Sequence, residues 1–89
     1  MNSYEDQWDN LTQGRRKIEE YVDDFYRLLR KIDPNSNLPV PMIIKKFTRG
    51  LNAKLAPMVY ASNPTTLDAA IEDATRLATG FEFAAGVLR

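Results

Sequence analysis

The sequence predicts an all-α domain, a compact bundle of about five short helices. Apolar residues recur every three to four positions in several separate stretches, the spacing that puts them on one helix face. No stretch shows the sustained alternation of a half-buried strand, and clusters of Gly, Pro, Asn and Ser fall between the periodic stretches. With 89 residues, one domain spanning 1–89 is expected, with a modest core.

The first element is an N-terminal linker helix within residues 1–12, running from Tyr4 to about Leu11. Ser3 is a candidate cap with Asp6 three residues on, and Tyr4, Trp8 and Leu11 share one face at i, i+4, i+7. Gln13-Gly14 breaks that pattern. The second helix is the clearest. Ile18, Tyr21, Val22, Phe25, Leu28, Leu29 and Ile32 form a continuous stripe, with Glu19, Glu20, Asp23 and Asp24 toward the start and Arg27, Arg30 and Lys31 toward the end. That order complements the helix dipole, and Asp23 and Arg27 have pairing spacing. Its N-cap is poor, because Arg15-Arg16-Lys17 offers no short polar acceptor.

Residues 33–39, Asp-Pro-Asn-Ser-Asn-Leu-Pro, read as a loop. A third helix starts at Pro39 or Pro41 and runs to Arg49, with Val40, Ile44, Phe47 and Leu51 as its core stripe and Gly50 as its end. Asn52 is a candidate cap for a short fourth helix ending near Ala61. Pro57 lies either awkwardly inside it or at its true first turn. Ser62-Asn63-Pro64 is a turn, and Thr65-Thr66-Leu67-Asp68 reads as a capping box for the last helix. Leu67, Ala70, Ile71, Ala74, Leu77, Ala78 and Phe81 form that helix's stripe, and Glu72 and Arg76 have pairing spacing. Gly80 and Gly86 weaken its end, so a frayed tail is expected over 84–89.

Composition excludes most chemistry. Lys plus Arg is 12 and Asp plus Glu is 12, so the formal net charge is zero, against a dedicated nucleic-acid binder. The chain has no cysteine and no histidine, which removes disulfides, the usual zinc ligands and the commonest general base. No serine or threonine has an activating base, and four scattered glycines make no phosphate loop. The acidic cluster at 19–24 lies on a solvated helix face. No catalytic residue, cofactor or metal is therefore expected. No apolar run approaches the roughly 20 residues of a membrane span. The first residues lack the basic and apolar regions of a signal peptide, and a cysteine-free chain fits a cytoplasmic setting.

Three features stand out as candidate sites. Arg15, Arg16 and Lys17 precede a helix N-terminus and form a possible polyanion contact, or simply a soluble loop. Trp8 is either an exposed anchor for a partner or part of the domain's own core. On the third helix, Met42 and Ile43 point partly away from the core stripe beside Lys46 and Arg49. Either Ile43 widens the core face or the pair forms a protein interface, and Met42, lacking an inward role, favours the interface.

Gln13-Gly14 followed by the helix Tyr21-Val22-Asp23-Asp24-Phe25-Tyr26-Arg27-Leu28-Leu29-Arg30 resembles the major homology region of retroviral capsid proteins. Phe47-Thr48-Arg49-Gly50-Leu51, then Pro64-Thr65-Thr66-Leu67-Asp68-Ala69-Ala70, is similar to Ty3/Gypsy-type retrotransposon Gag, in which a Phe-x-x-Gly-Leu helix end precedes a Pro-Thr-Leu cap and an alanine-rich last helix. Trp8 stands where such domains usually carry a tryptophan. The resemblance covers about Trp8 to Ala78. The spacer between Gly14 and Tyr21 is one residue shorter than in retroviruses, Lys17 stands near an expected glutamate, and the cysteine pair frequent in retroviral capsids is missing. These departures point to Ty3/Gypsy or domesticated Gag.

The resemblance implies a retroviral capsid C-terminal-domain-like fold and a structural role: dimerisation and assembly of a shell in cytoplasmic virus-like particles. It places Met42, Ile43 and Lys46, with Trp8, at a homodimer interface, and makes Gln13, Gly14, Tyr21, Phe25 and Arg30 a structural homology region. Implied partners are further copies and an N-terminal capsid domain. RNA would be reached only through other Gag segments, since the zinc knuckle needs cysteine and histidine. No membrane partner is implied. Rival expectations are a domesticated protein-interaction module, and a nucleic-acid module using Arg15, Arg16, Lys17, Lys45, Lys46 and Arg49.

Overall fold

A computed structural model describes the backbone of residues 3–87 and the side chains of residues 3–83. Among the described residues the elements are α1 (Ser3–Asp9), α2 (Ile18–Ile32), α3 (Val40–Gly50), α4 (Ala56–Ser62) and α5 (Leu67–Val87), with no strand. α1 packs on α2, while α5 lies against α2, α3 and α4, so the longest helix holds the bundle together.

The α2 stripe enters the core as its periodicity requires. Ile18, Tyr21, Phe25 and Leu28 are buried, and Val22 and Leu29 pack against them from the flanks. Lys17 is the N-cap and makes no side-chain capping bond. At the other end Asp33 turns the chain. Its N–H donates to Leu29 O (2.8 Å), and its carboxylate accepts from the N–H groups of Asn37 (2.8 Å) and Leu38 (3.0 Å). The expected Asp23–Arg27 pair is replaced by Asp24–Arg27 at 3.5 Å. Asp24 already faces Arg16, so two guanidinium groups converge on one carboxylate.

α1 is shorter than its apolar spacing suggested, ending at Asp9. Leu11 lies beyond it yet is buried, its N–H donating to Trp8 O (3.2 Å). α3 begins at Val40 with Pro41 in its first turn. Val40, expected in the core stripe, is 50 % exposed, because the first turn of α3 overhangs the core. The rest of that stripe holds, with Phe47 and Leu51 buried and Ile44 half-buried, and Thr48 is buried besides, its hydroxyl donating to Ile44 O (2.8 Å).

Gly50 closes α3 for a reason that sequence punctuation did not carry. Its backbone is not left-handed; only Gly14 among the described glycines has positive φ (57°). A Cβ at position 50 would lie 2.1 Å from the Tyr21 hydroxyl oxygen and 3.0 Å from Leu11 O. Glycine is required there by close packing.

Asn52 caps a turn ahead of α4, its Oδ1 accepting from the N–H groups of Lys54 and Leu55 (both 3.1 Å). Pro57 falls in the first turn of α4, which resolves its two readings, and left-handed Asn63 (φ 51°) ends that helix. α5 is capped by Thr66 rather than Thr65, with Thr66 Oγ1 accepting from Ala69 N (3.0 Å). Asp68, assigned by sequence to a capping box, instead accepts from the Tyr26 hydroxyl (3.2 Å). Ala70, Ala74 and Ala78 are the buried face of α5; their small side chains let it approach three helices. Phe81 falls outside the core at 39 % exposure, lining a surface pocket with Ile18 and Leu55. Arg76 pairs with Asp73 (3.0 Å), not with Glu72. The helix continues through Gly80. The fraying expected over 84–89 concerns residues that, apart from the helical backbone of 84–87, lie outside the described ones.

Two stability predictions follow from these glycines. Gly50→Ala should cost at least about 2 kcal/mol in chemical denaturation, as overpacking of a core does. Combined with Tyr21→Phe, which removes the clashing oxygen, it should cost less than the sum of the two single changes. Gly80→Ala sits in an exposed helix position with no atom in contact range and should stabilise by about 0.5–1 kcal/mol.

Candidate functional site

The residues that sequence placed at an interface are brought together. Trp8, Met42, Ile43 and Lys46 line one surface groove of about 390 Å³ between α1 and α3, with Leu38, Lys45 and Arg49 completing it. Trp8 is half-buried, its ring 4.9 Å from that of Phe25, so it packs on its own core and also presents an edge to the groove. Ile43 is likewise divided, packing against the core cluster on one side and lining the groove on the other. Met42 is 58 % exposed and stands at the lip.

Lys46 ties the two helices together. Its ammonium lies 5.5 Å from the Trp8 ring centroid and donates to Asp9 O (3.3 Å). Burial lowers its pKa below the ordinary lysine value; Asp9 opposes that shift and Arg49 adds to it. The groove thus has an apolar floor and a cationic rim, a surface suited to burying apolar side chains. Among the described residues, no three His, Cys, Asp or Glu side chains cluster as metal ligands would.

The homology-region residues mostly converge beneath this surface. Gly14 supplies the left-handed turn after α1. Gln13 is buried and bridges three segments. Its Nε2 donates to Arg16 O (3.1 Å), its Oε1 accepts from Asn52 N (3.1 Å), and its own N–H donates to Gly50 O (2.8 Å). Tyr21 is fully buried, its hydroxyl donating to Phe47 O (2.8 Å), and burial pushes its phenol pKa well up, with Arg16 opposing. Phe25 meets Trp8, Tyr21 and Phe47 within one aromatic cluster. Arg30 does not join them. It is exposed, with its guanidinium 6.0 Å from the Tyr26 ring centroid.

The basic triplet divides in the same way. Arg16 is engaged internally, donating to Thr12 O (2.8 Å) and Gln13 O (3.4 Å) and pairing with Asp24. Arg15 and Lys17 are exposed at the rim of a shallow pocket whose floor includes Ile18, Leu55 and Phe81. Sequence reasoning missed a second groove, of about 410 Å³, between α3, α4 and the turn before α5. Its lining includes Ile44, Val59 and Tyr60. The available signal was Tyr60 on α4, an apolar residue beside the stripe that Val59 occupies; it is 49 % exposed.

The Arg16–Asp24 pair predicts a pH dependence. The hydrogen bond from Arg16 holds the Asp24 carboxyl below its ordinary value of 3.8, burial opposing and the charges of Arg16 and Arg27 helping. A depressed carboxylate stabilises the fold above its unfolded pKa, and that contribution disappears as pH falls through the folded value. Asp24→Asn should therefore flatten the acid limb of the stability curve below about pH 4, by up to ~1 kcal/mol for a partly exposed pair. Gln13→Ala should cost about 2 kcal/mol in denaturant titrations, because it leaves Asn52 N and Arg16 O without partners.

Comparison with known proteins finds a match to a family model, PEG10/RTL1, C-terminal capsid-like domain, over residues 5–79. No curated protein and no solved structure matches the chain. The matched span holds the Gln13-Gly14 turn, α2, both grooves and the alanine face of α5. The chain belongs to the PEG10/RTL1 C-terminal capsid-like domain family, a Gag-derived capsid domain of Ty3/Gypsy type.

Proposed function

We propose that this domain is the self-associating half of a Gag capsid, pairing with a second copy through the α1–α3 groove and so contributing to a shell. The coarse role, a structural one in a Gag-derived capsid, follows from the family. The finer reading is carried by Met42, an exposed large apolar side chain beside half-buried Ile43 and Trp8. A lone exposed methionine is unremarkable on a soluble domain. One that lines a groove with an aromatic edge and an isoleucine is a patch that a second identical surface can cover. Lys46, held over Trp8, keeps α1 and α3 in fixed relation while that happens.

The domain supplies association and no catalysis. Particle formation in the cytoplasm, contact with an N-terminal capsid domain and RNA capture by other Gag segments complete the proposal. Each contact need only be weak, because a lattice multiplies it.

Met42→Asp should weaken dimerisation at least tenfold, the equivalent of about 1.4 kcal/mol, in sedimentation equilibrium across a dilution series. Circular dichroism should stay unchanged, since Met42 is outside the core. An unaltered monomer–dimer equilibrium in that variant would remove the groove as the interface.

A further inference from the structure

Two apolar features are left uncovered by the α1–α3 groove, and they lie at opposite ends of α5. The first is the α3–α4 groove, lined by Pro41, Ile44, Val59, Tyr60 and Pro64 with Lys45 at its edge. The second is the outer end of α5, where Phe83 is 73 % exposed, the most exposed large apolar side chain described, and Glu82 stands next to it.

They cannot meet within one molecule. The groove opens beside Pro64 and Thr65, immediately before α5 begins at Leu67. Phe83 lies 16 residues along that helix, about 24 Å away at 1.5 Å per residue. A rigid α-helix does not fold back on its own start. Both features are thus open to another molecule, and they complement each other. One is an aromatic knob and the other a cavity of about 410 Å³. The Glu82 carboxylate, which borders the Arg15 and Lys17 pocket of its own copy without forming an ion pair there, is opposite in charge to the Lys45 ammonium at the cavity edge. Neither Lys45 nor Glu82 has an ion-pair partner among the described residues.

We propose that the outer end of α5 of one copy docks into the α3–α4 groove of a second copy, Phe83 entering between Pro41, Ile44 and Tyr60 and Glu82 meeting Lys45. This contact is head-to-tail, so it leaves a free groove on one copy and a free helix end on the other, and propagates. It rests on the reading of the domain as an assembly module but uses a surface separate from Met42. A two-fold contact alone stops at the dimer; joined to a head-to-tail contact it extends into a lattice.

The chain has no cysteine, so a single probe can be placed on α5. Thr79→Cys, exposed one turn before Phe83, is nitroxide-labelled and mixed with isotope-labelled copies of the unmodified chain. The amides of Val59, Tyr60 and Asn63 should broaden. Phe83→Asp in the spin-labelled copy should abolish that broadening, and Lys45→Glu in the isotope-labelled copy should reduce it several-fold, with Glu82→Lys in the spin-labelled copy restoring it. Adding Met42→Asp to both copies should leave it in place, which separates this contact from the two-fold one. Broadening that survives Phe83→Asp, that appears only around Trp8 and Met42, or that is absent at concentrations where the chain associates would overturn the proposal.

Discussion

The phenol of Tyr21 occupies the volume that any side chain at position 50 would need, and its hydroxyl donates to Phe47 O from the middle of α2. That contact sets how closely α2 and the end of α3 approach, and the rest of the bundle is arranged around it. A buried hydroxyl without a partner would be costly; here it satisfies a carbonyl in the last turn of α3. Gln13 reinforces the same junction from outside, joining Gly50 O, Asn52 N and Arg16 O with its backbone and amide groups. None of these junction bonds uses a glutamate. The capping of α2 is left to its backbone, and Arg16 turns inward to Asp24.

With α2 and α3 set, α5 needs a face that can lie against several helices at once. Ala70, Ala74 and Ala78 supply it. Small side chains give up contact area but allow close approach, and the larger Leu67, Ile71 and Leu77 make up the difference at the flanks. The same length that spans the bundle carries α5 past it, which is why Phe83 stands in solvent.

The surface is best understood as what the core leaves over. A domain of 89 residues cannot enclose every apolar side chain it carries. Part of its surplus lies at the α1–α3 groove, the α3–α4 groove and the end of α5. The family role of the domain is structural, and under the proposed function this surplus is the assembly surface. Lys46 shows the coupling of interior and surface: it bridges α1 and α3 through Trp8 and Asp9 O while lining the groove that it stabilises.

Helix number, order and the α2 core face were legible in the sequence, because periodicity is a local property: Ile18, Tyr21, Phe25 and Leu28 must share a side of any helix that contains them. Met42 was legible for the same reason, as an apolar residue off the stripe. The roles of Val40 and Phe81 were not, since both fit a stripe by spacing yet are left exposed by where neighbouring segments lie. The choice of Asp24 over Asp23, and of Thr66 over Thr65, depended on side-chain reach between segments. Gly50 reads as punctuation until Tyr21 is placed against it, 29 positions away in the chain. Sequence by itself determined which face of each helix is apolar. Only the tertiary structure decided how far along each helix that face is covered, because coverage depends on where neighbouring helices end.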